Sequence, residues 1–103
     1  MIEKLIAGKK IQVNDEGYLI YPEQWDKDIA IEIAKEYGII LTDKHFAVLD
    51  FLRQKFFAGE SLTIRKVGNS GILDIKEFYH LFPGGPLKIA SKIAGIPKPV
   101  SCI

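Results

Sequence analysis

The apolar positions of this chain change period several times, and each change predicts an element. In KKIQVNDEGYLIY, residues 9–21, β-forming residues stand on both sides of a turn cluster at 14–17, which predicts a hairpin with a four-residue connection. DKDIAIEIAKEYG then moves to near-helical spacing through Ile29, Ile33 and Tyr37, with Asp26 suited to the N-cap and Gly38 to the C′ position. A second helix is predicted from its cap at Thr42 to about Ala58. Phe46, Val48, Leu49, Leu52, Phe56 and Phe57 give it a broad apolar face, read as core, and Gly59 stops it.

Two short helical patterns follow, SLTIRKV and ILDIKEFYHLF, separated by the glycine turn GNSG. Asp74 and Glu77 have capping spacing at the start of the second. The break PGGP ends it, Pro86 suits the first turn of the next helix, PLKIASKIA, and Gly95 terminates that one. The predicted class is α+β and mainly α: an N-terminal β-hairpin packed on about five short helices. Strands and helices do not alternate as a parallel sheet requires, which argues against a nucleotide-binding α/β fold.

At 103 residues the chain is expected to form one domain, 1–103, with residues 95–103 as a mobile C-terminal arm. Fourteen basic against thirteen acidic residues leave a net charge of +1, too little for a global field that would attract nucleic acid or membrane. A single cysteine forms no internal disulfide, and the opening MIEKLIAGKK has too short an apolar run for a signal peptide, so a reducing cytoplasm is the expected compartment. Prenylation is not expected, because that signal places its cysteine four residues from the end.

That cysteine, Cys102, is one residue from the end of GIPKPVSCI. Pro97 and Pro99 forbid helix and bias Ile96 and Lys98 to extended backbone, giving a semi-rigid arm of polyproline character. The seven steps from Gly95 to Cys102 reach at most roughly 25 Å when extended. With no second cysteine, the thiol's chemistry is intermolecular: it accepts sulfur as a persulfide or forms a mixed disulfide with a partner. The bland alternative is a frayed terminus carrying an incidental cysteine. Lys88 and Lys92 share one helix face and, with Lys98, would form a basic rim near the arm, or simply a solvated face.

Other constellations are weaker. TIRKVGNSGILDIKEFYHLF scans as a helix-turn-helix, but Asp74 and Glu77 against Lys76 make a poor phosphate-facing surface, so direct nucleic-acid binding is not expected. His45 and His80 sit within helical patterns away from any metal-ligand spacing, His45 reading as helix surface or core edge, and Trp25 reads as core. No cofactor is expected. The chain has no glycine-rich phosphate loop, nucleophile elbow or catalytic triad, so a carrier that other proteins act upon fits better than a self-contained enzyme.

The ending IAGIPKPVSCI, with LFPGGPLKIASK before it, resembles the C-terminal signature of the DsrC/TusE family of sulfur-relay proteins. The likeness extends upstream through DEGYL, QWDKDIAIEIAKEYGIILTDKHFAVLDFLRQ and TIR, nearly the whole chain. The resemblance implies a hairpin on an orthogonal helical bundle, and a penultimate cysteine, here Cys102, that carries persulfide sulfur on a mobile arm. In one branch sulfur passes along a relay to the enzyme that thiolates the tRNA wobble uridine. In the other the protein partners dissimilatory sulfite reductase and uses a second cysteine on the last helix. Here Ser91 stands at that second position, and serine closes no disulfide with Cys102. The segment between Arg65 and Leu81 is shorter than the tRNA-thiolating branch leads one to expect and closer to compact DsrC forms. Arg65 recurs in the family pattern, which makes it the second candidate functional residue; otherwise it is a surface salt-bridge residue. The partners implied are a sulfur-donor protein and an acceptor enzyme.

Overall fold

The computed structural model describes residues 1–100. Ile2–Ile6 (β1) and Lys9–Val13 (β2) pair antiparallel, with Ile2 opposite Val13 and Ile6 opposite Lys9. Ala7 and Gly8 connect them at φ 51° and 77°, and two consecutive positive φ values are the mark of the tight turn that matches strand twist. The hairpin therefore lies one strand nearer the N-terminus than predicted. Ala-Gly does the work usually given to Asn-Gly, and so hides the turn from sequence reasoning. The turn at 14–17 also forms, with Asn14 Oδ1 accepting the N–H groups of Glu16 and Tyr18 at 3.0 Å each. The returning chain pairs only as the isolated bridge Val13–Leu19, before Pro22 opens a single 3-10 turn, Pro22–Gln24.

Five helices follow: α1 (Lys27–Lys35), α2 (Asp43–Phe57), α3 (Ile64–Gly68), α4 (Ile75–Leu81) and α5 (Pro86–Ile93). Each of the first four starts at a side-chain cap. Asp26 accepts from Ile29 N–H, Thr42 from His45, Thr63 from Lys66 and Asp74 from Glu77, satisfying amides that the helix itself leaves unpaired. α1 ends as the sequence predicts, at Gly38: Gly38 N–H donates to Lys35 and Ile39 N–H to Ala34, the paired bonds of a left-handed glycine stop.

The core is built from Ile29 and Ile33 of α1, Val48, Leu49 and Leu52 of α2, Phe78 and Phe82 at α4, and Leu87 and Ile93 of α5, all buried. Burial is worth about 1.5–3 kcal/mol for each such side chain. β1 and β2 add Ile6, Ile11 and Val13. Two aromatic assignments change. Tyr37 lies past the end of α1 and is exposed, and Phe57, read as core, is 60% exposed at the end of α2. α5 packs against α1 and α2, so the element that leads into the C-terminal arm is held from two sides. Among the described residues no helix is long and apolar enough to cross a membrane.

Candidate functional site at the root of the C-terminal arm

α5 stops at Gly95, whose φ is 70°. Gly95 N–H donates to Lys92 and Ile96 N–H to Ser91, at 3.2 Å each, which again forms the left-handed stop. Ile96 is fully buried while Pro97 is exposed. The chain is thus anchored through Ile96, and Pro97 opens an arm that still borders the body as far as Val100.

Two side chains from elsewhere bind the end of α5. Trp25 Nε1 donates to the Ile93 carbonyl at 2.7 Å, and Arg53 Nη1 donates to the Ala94 carbonyl at 2.8 Å. Arg53 Nη2 reaches the Pro22 carbonyl at 3.2 Å, so one guanidinium ties the arm root to the 3-10 turn. The guanidinium carbon lies 4.2 Å from the Trp25 ring centroid and 5.2 Å from that of Phe57, within cation–π range. Burial lowers the Arg53 pKa from its ordinary value while Asp50 raises it; the group keeps its charge at any physiological pH. A cation at carbonyls that end a helix also opposes the negative end of the helix dipole.

The residues singled out in the sequence fall in different places. Cys102 lies outside the described residues. Ser91 is buried on α5, and its Oγ has no hydrogen-bond partner among the described residues. Lys92 is drawn in against the N-terminal region. Its ammonium donates to Tyr37 Oη at 2.9 Å and stands 5.9 and 5.3 Å from the Tyr18 and Tyr37 ring centroids. A Cβ on Gly17 would come within 2.8 Å of Lys92 Cε, so a side chain there would push the flexible end of Lys92 aside. Lys98, on the arm, pairs with Glu16 at 3.0 Å. Lys92 and Lys98 therefore both meet the 14–18 loop, whereas Lys88 is exposed and contributes its carbonyl to Tyr18 Oη at 3.1 Å. Arg65 is exposed on α3, across the 60–63 loop from the arm and beside Lys55 and Lys66.

Sequence reasoning missed Arg53, the cation that binds the arm root. Its signal was spacing: it stands midway between Leu49 and Phe57, four residues from each, on an otherwise apolar stripe. It also missed the role of His45, which is buried. Nδ1 accepts the Thr42 N–H at 3.1 Å, so the proton sits on Nε2 and is donated to the Leu81 carbonyl at 3.0 Å. Histidine here fills the role of the Glu or Gln in a capping box and joins the start of α2 to the end of α4. α3 and α4 are held close, since a Cβ on Gly68 would lie 2.4 Å from Ile75 Cγ1.

A family model described as DsrC like protein matches residues 5–103. The sulfurtransferase TusE of Escherichia coli strain K12 is 39% identical over 112 aligned positions, which cover 96% of this chain and 98% of that protein. TusE of Salmonella typhimurium is similar to the same extent. Among solved structures, the oxidized gamma-subunit of the dissimilatory sulfite reductase (DsrC) from Archaeoglobus fulgidus aligns with a TM-score of 0.84 and 32% identity, covering 99% of this chain and 100% of that one. DsrC of Allochromatium vinosum aligns at 0.83 and 31%, covering 98% and 97%.

Proposed function

This chain belongs to the DsrC-like protein family, and on that premise we propose that it is a sulfur-relay carrier whose working group is Cys102. The observation that carries this reading is the arm root. The only thiol of the chain follows, seven residues on, a helix end held by Trp25 and Arg53 and stopped at Gly95. The fixed helix end leaves only a short segment of chain between the body and the thiol that a partner enzyme would have to reach.

Loading needs no external oxidant. The Cys102 thiolate attacks the outer sulfur of a donor persulfide; a new S–S bond forms at Cys102, the donor's S–S bond breaks, and its electron pair returns to the donor thiolate. Unloading is the same step with an acceptor thiolate as nucleophile. Sulfur moves while the oxidation state of the system is conserved.

With one thiol the chain suits a relay of the kind that ends in tRNA 2-thiouridine formation, working in the cytoplasm between a sulfur-donor protein and an acceptor enzyme. The second reading is a partner of dissimilatory sulfite reductase, favoured by the likeness to the Archaeoglobus fulgidus gamma-subunit. Ser91 weighs against it, since a buried hydroxyl forms no disulfide with Cys102. A DNA-binding role finds little support at α4, whose surface presents Asp74 and Glu77 beside Lys76.

The test is incubation of the purified protein with a cysteine desulfurase, cysteine and pyridoxal phosphate, with and without candidate relay proteins, followed by intact mass measurement. The expected result is one added sulfur atom, absent in Cys102→Ser at an unchanged melting temperature. Equal sulfur gain in Cys102→Ser would remove the proposal. A loaded protein that delivers sulfur to a tRNA-thiolating enzyme, and fails to bind sulfite reductase, would select the first reading over the second.

A further inference from the structure

The loop at 60–63, between α2 and α3, separates two surface features. On one side lies an apolar groove of about 460 Å³, bounded by Phe56 and Leu62 of the body and by Pro97, Pro99 and Val100 of the arm. On the other lies a basin of about 320 Å³ bordered by Lys55, Arg65 and Lys66. Glu60 borders both, and meets Lys55 at 3.4 Å and Lys66 at 3.9 Å. Glu60 thus pairs with two of the basin's three cations. The Arg65 guanidinium makes no hydrogen bond or ion pair among the described residues.

Position makes these features more than ordinary surface. Any group that reacts with Cys102 must come within bonding distance of a thiol two residues beyond Val100, which is itself fully exposed. A partner surface seated on the groove next to Val100 brings its more distant residues over the cationic basin, since Glu60 lines both features. An apolar side chain matches the groove; carboxylates match Arg65 and its neighbours. We propose that this composite surface docks the relay partner through an acidic segment that carries an apolar anchor residue beside its reactive sulfur. The proposal rests on the carrier reading above. Electrostatics of this kind acts on partner choice and on association rate more than on final affinity.

The probes are two synthetic cysteine peptides of equal length, each with leucine beside the cysteine, one flanked by aspartate and glutamate and the other by lysine. Free cysteine is the third acceptor. Cys102 is first loaded as the persulfide; the acceptor thiolate then attacks its outer sulfur, the Cys102 S–S bond breaks, and Cys102 leaves as thiolate. The expected result is transfer to the acidic peptide about tenfold faster than to the basic one at low salt, a preference that shrinks at roughly 0.5 M salt. Arg65→Glu should abolish or invert that preference while leaving transfer to free cysteine unchanged. Arg65 is exposed at the first turn of α3, where a carboxylate is tolerated. Val100→Ser should slow both leucine-bearing peptides and leave transfer to free cysteine unchanged. Equal rates for the two peptides, or a preference that survives Arg65→Glu, would overturn the proposal. Loss of transfer even to free cysteine would instead remove the carrier reading, and the docking surface with it.

Discussion

Trp25 lies directly against the backbone of Gly95: a Cβ added to Gly95 would stand 2.4 Å from Trp25 Cδ1 and 2.7 Å from Cβ and Cγ. The glycine is thus required twice, once for its positive φ and once for space. Gly95→Ala should lose about 2–4 kcal/mol, from left-handed strain together with the overlap. Denaturant unfolding reads the loss directly. An alanine variant as stable as the parent would mean that the arm leaves the body by another route.

Arg53 supplies charged donors to two carbonyls, those of Ala94 and Pro22, the second of which also accepts the Trp25 N–H. Arg53→Met, which keeps the stem and removes the donors, should cost about 2 kcal/mol. Arg53→Lys should recover part of it, because an ammonium does not span both carbonyls as a planar guanidinium does. Sulfur transfer to a protein acceptor should fall further than loading from a small persulfide, since only the protein acceptor depends on where the arm points. Parallel losses in both assays would assign Arg53 to stability alone.

Ser91 offers a gain. Its Oγ is buried without a hydrogen-bond partner among the described residues, so Ser91→Ala removes an unsatisfied polar group and should stabilise the protein by up to about 1 kcal/mol. Ser91→Cys should be tolerated for a related reason, a thiol being the weaker hydrogen-bonding group. A melting temperature that drops on Ser91→Ala would show that the hydroxyl has a partner in solution.

Stability toward acid should depend on Asp26. Its bond to the Lys9 ammonium, and then its cap bond from Ile29 N–H, hold its pKa below the ordinary 3.8. A folded-state pKa below the unfolded one means that the contribution is complete above pH 3.8 and is lost as pH falls through the lower folded value. Asp26→Asn keeps a cap acceptor but has no charge to titrate. Its stability should therefore change less with pH than that of the parent in the acid range, as followed by urea midpoints at successive pH values. The same slope in both proteins would contradict the assignment. Lys9, raised above 10.5 chiefly by the same bond, adds stability that is lost only as pH rises through its folded value.

Most of this architecture is written in local signals. The caps at Asp26, Thr42 and Asp74 and the glycine stops at Gly38, Gly59 and Gly95 each depend on a few adjacent residues, so the helices were legible. The hairpin was misplaced because Ala7 adopts a positive φ for which its side chain gives no warning. The arm root was only half legible. Gly95 and the prolines announce where the helix ends, but the groups that bind that end come from residues 68 and 41 positions away in sequence, Trp25 to Ile93 and Arg53 to Ala94. Such contacts follow from how α2 and α5 pack. His45 was hidden differently, by standing where a capping box usually has Glu or Gln.

The burial of Ile96 has a kinetic meaning. It shortens the tether of Cys102 to six residues beyond a fixed point on the body, a reach of roughly 20 Å. A partner held on the body then meets the thiol at an effective concentration on the order of millimolar or above, whatever the protein's own abundance. Weak and brief docking is enough for transfer under those conditions, and brief docking lets one carrier leave its donor in time to serve its acceptor.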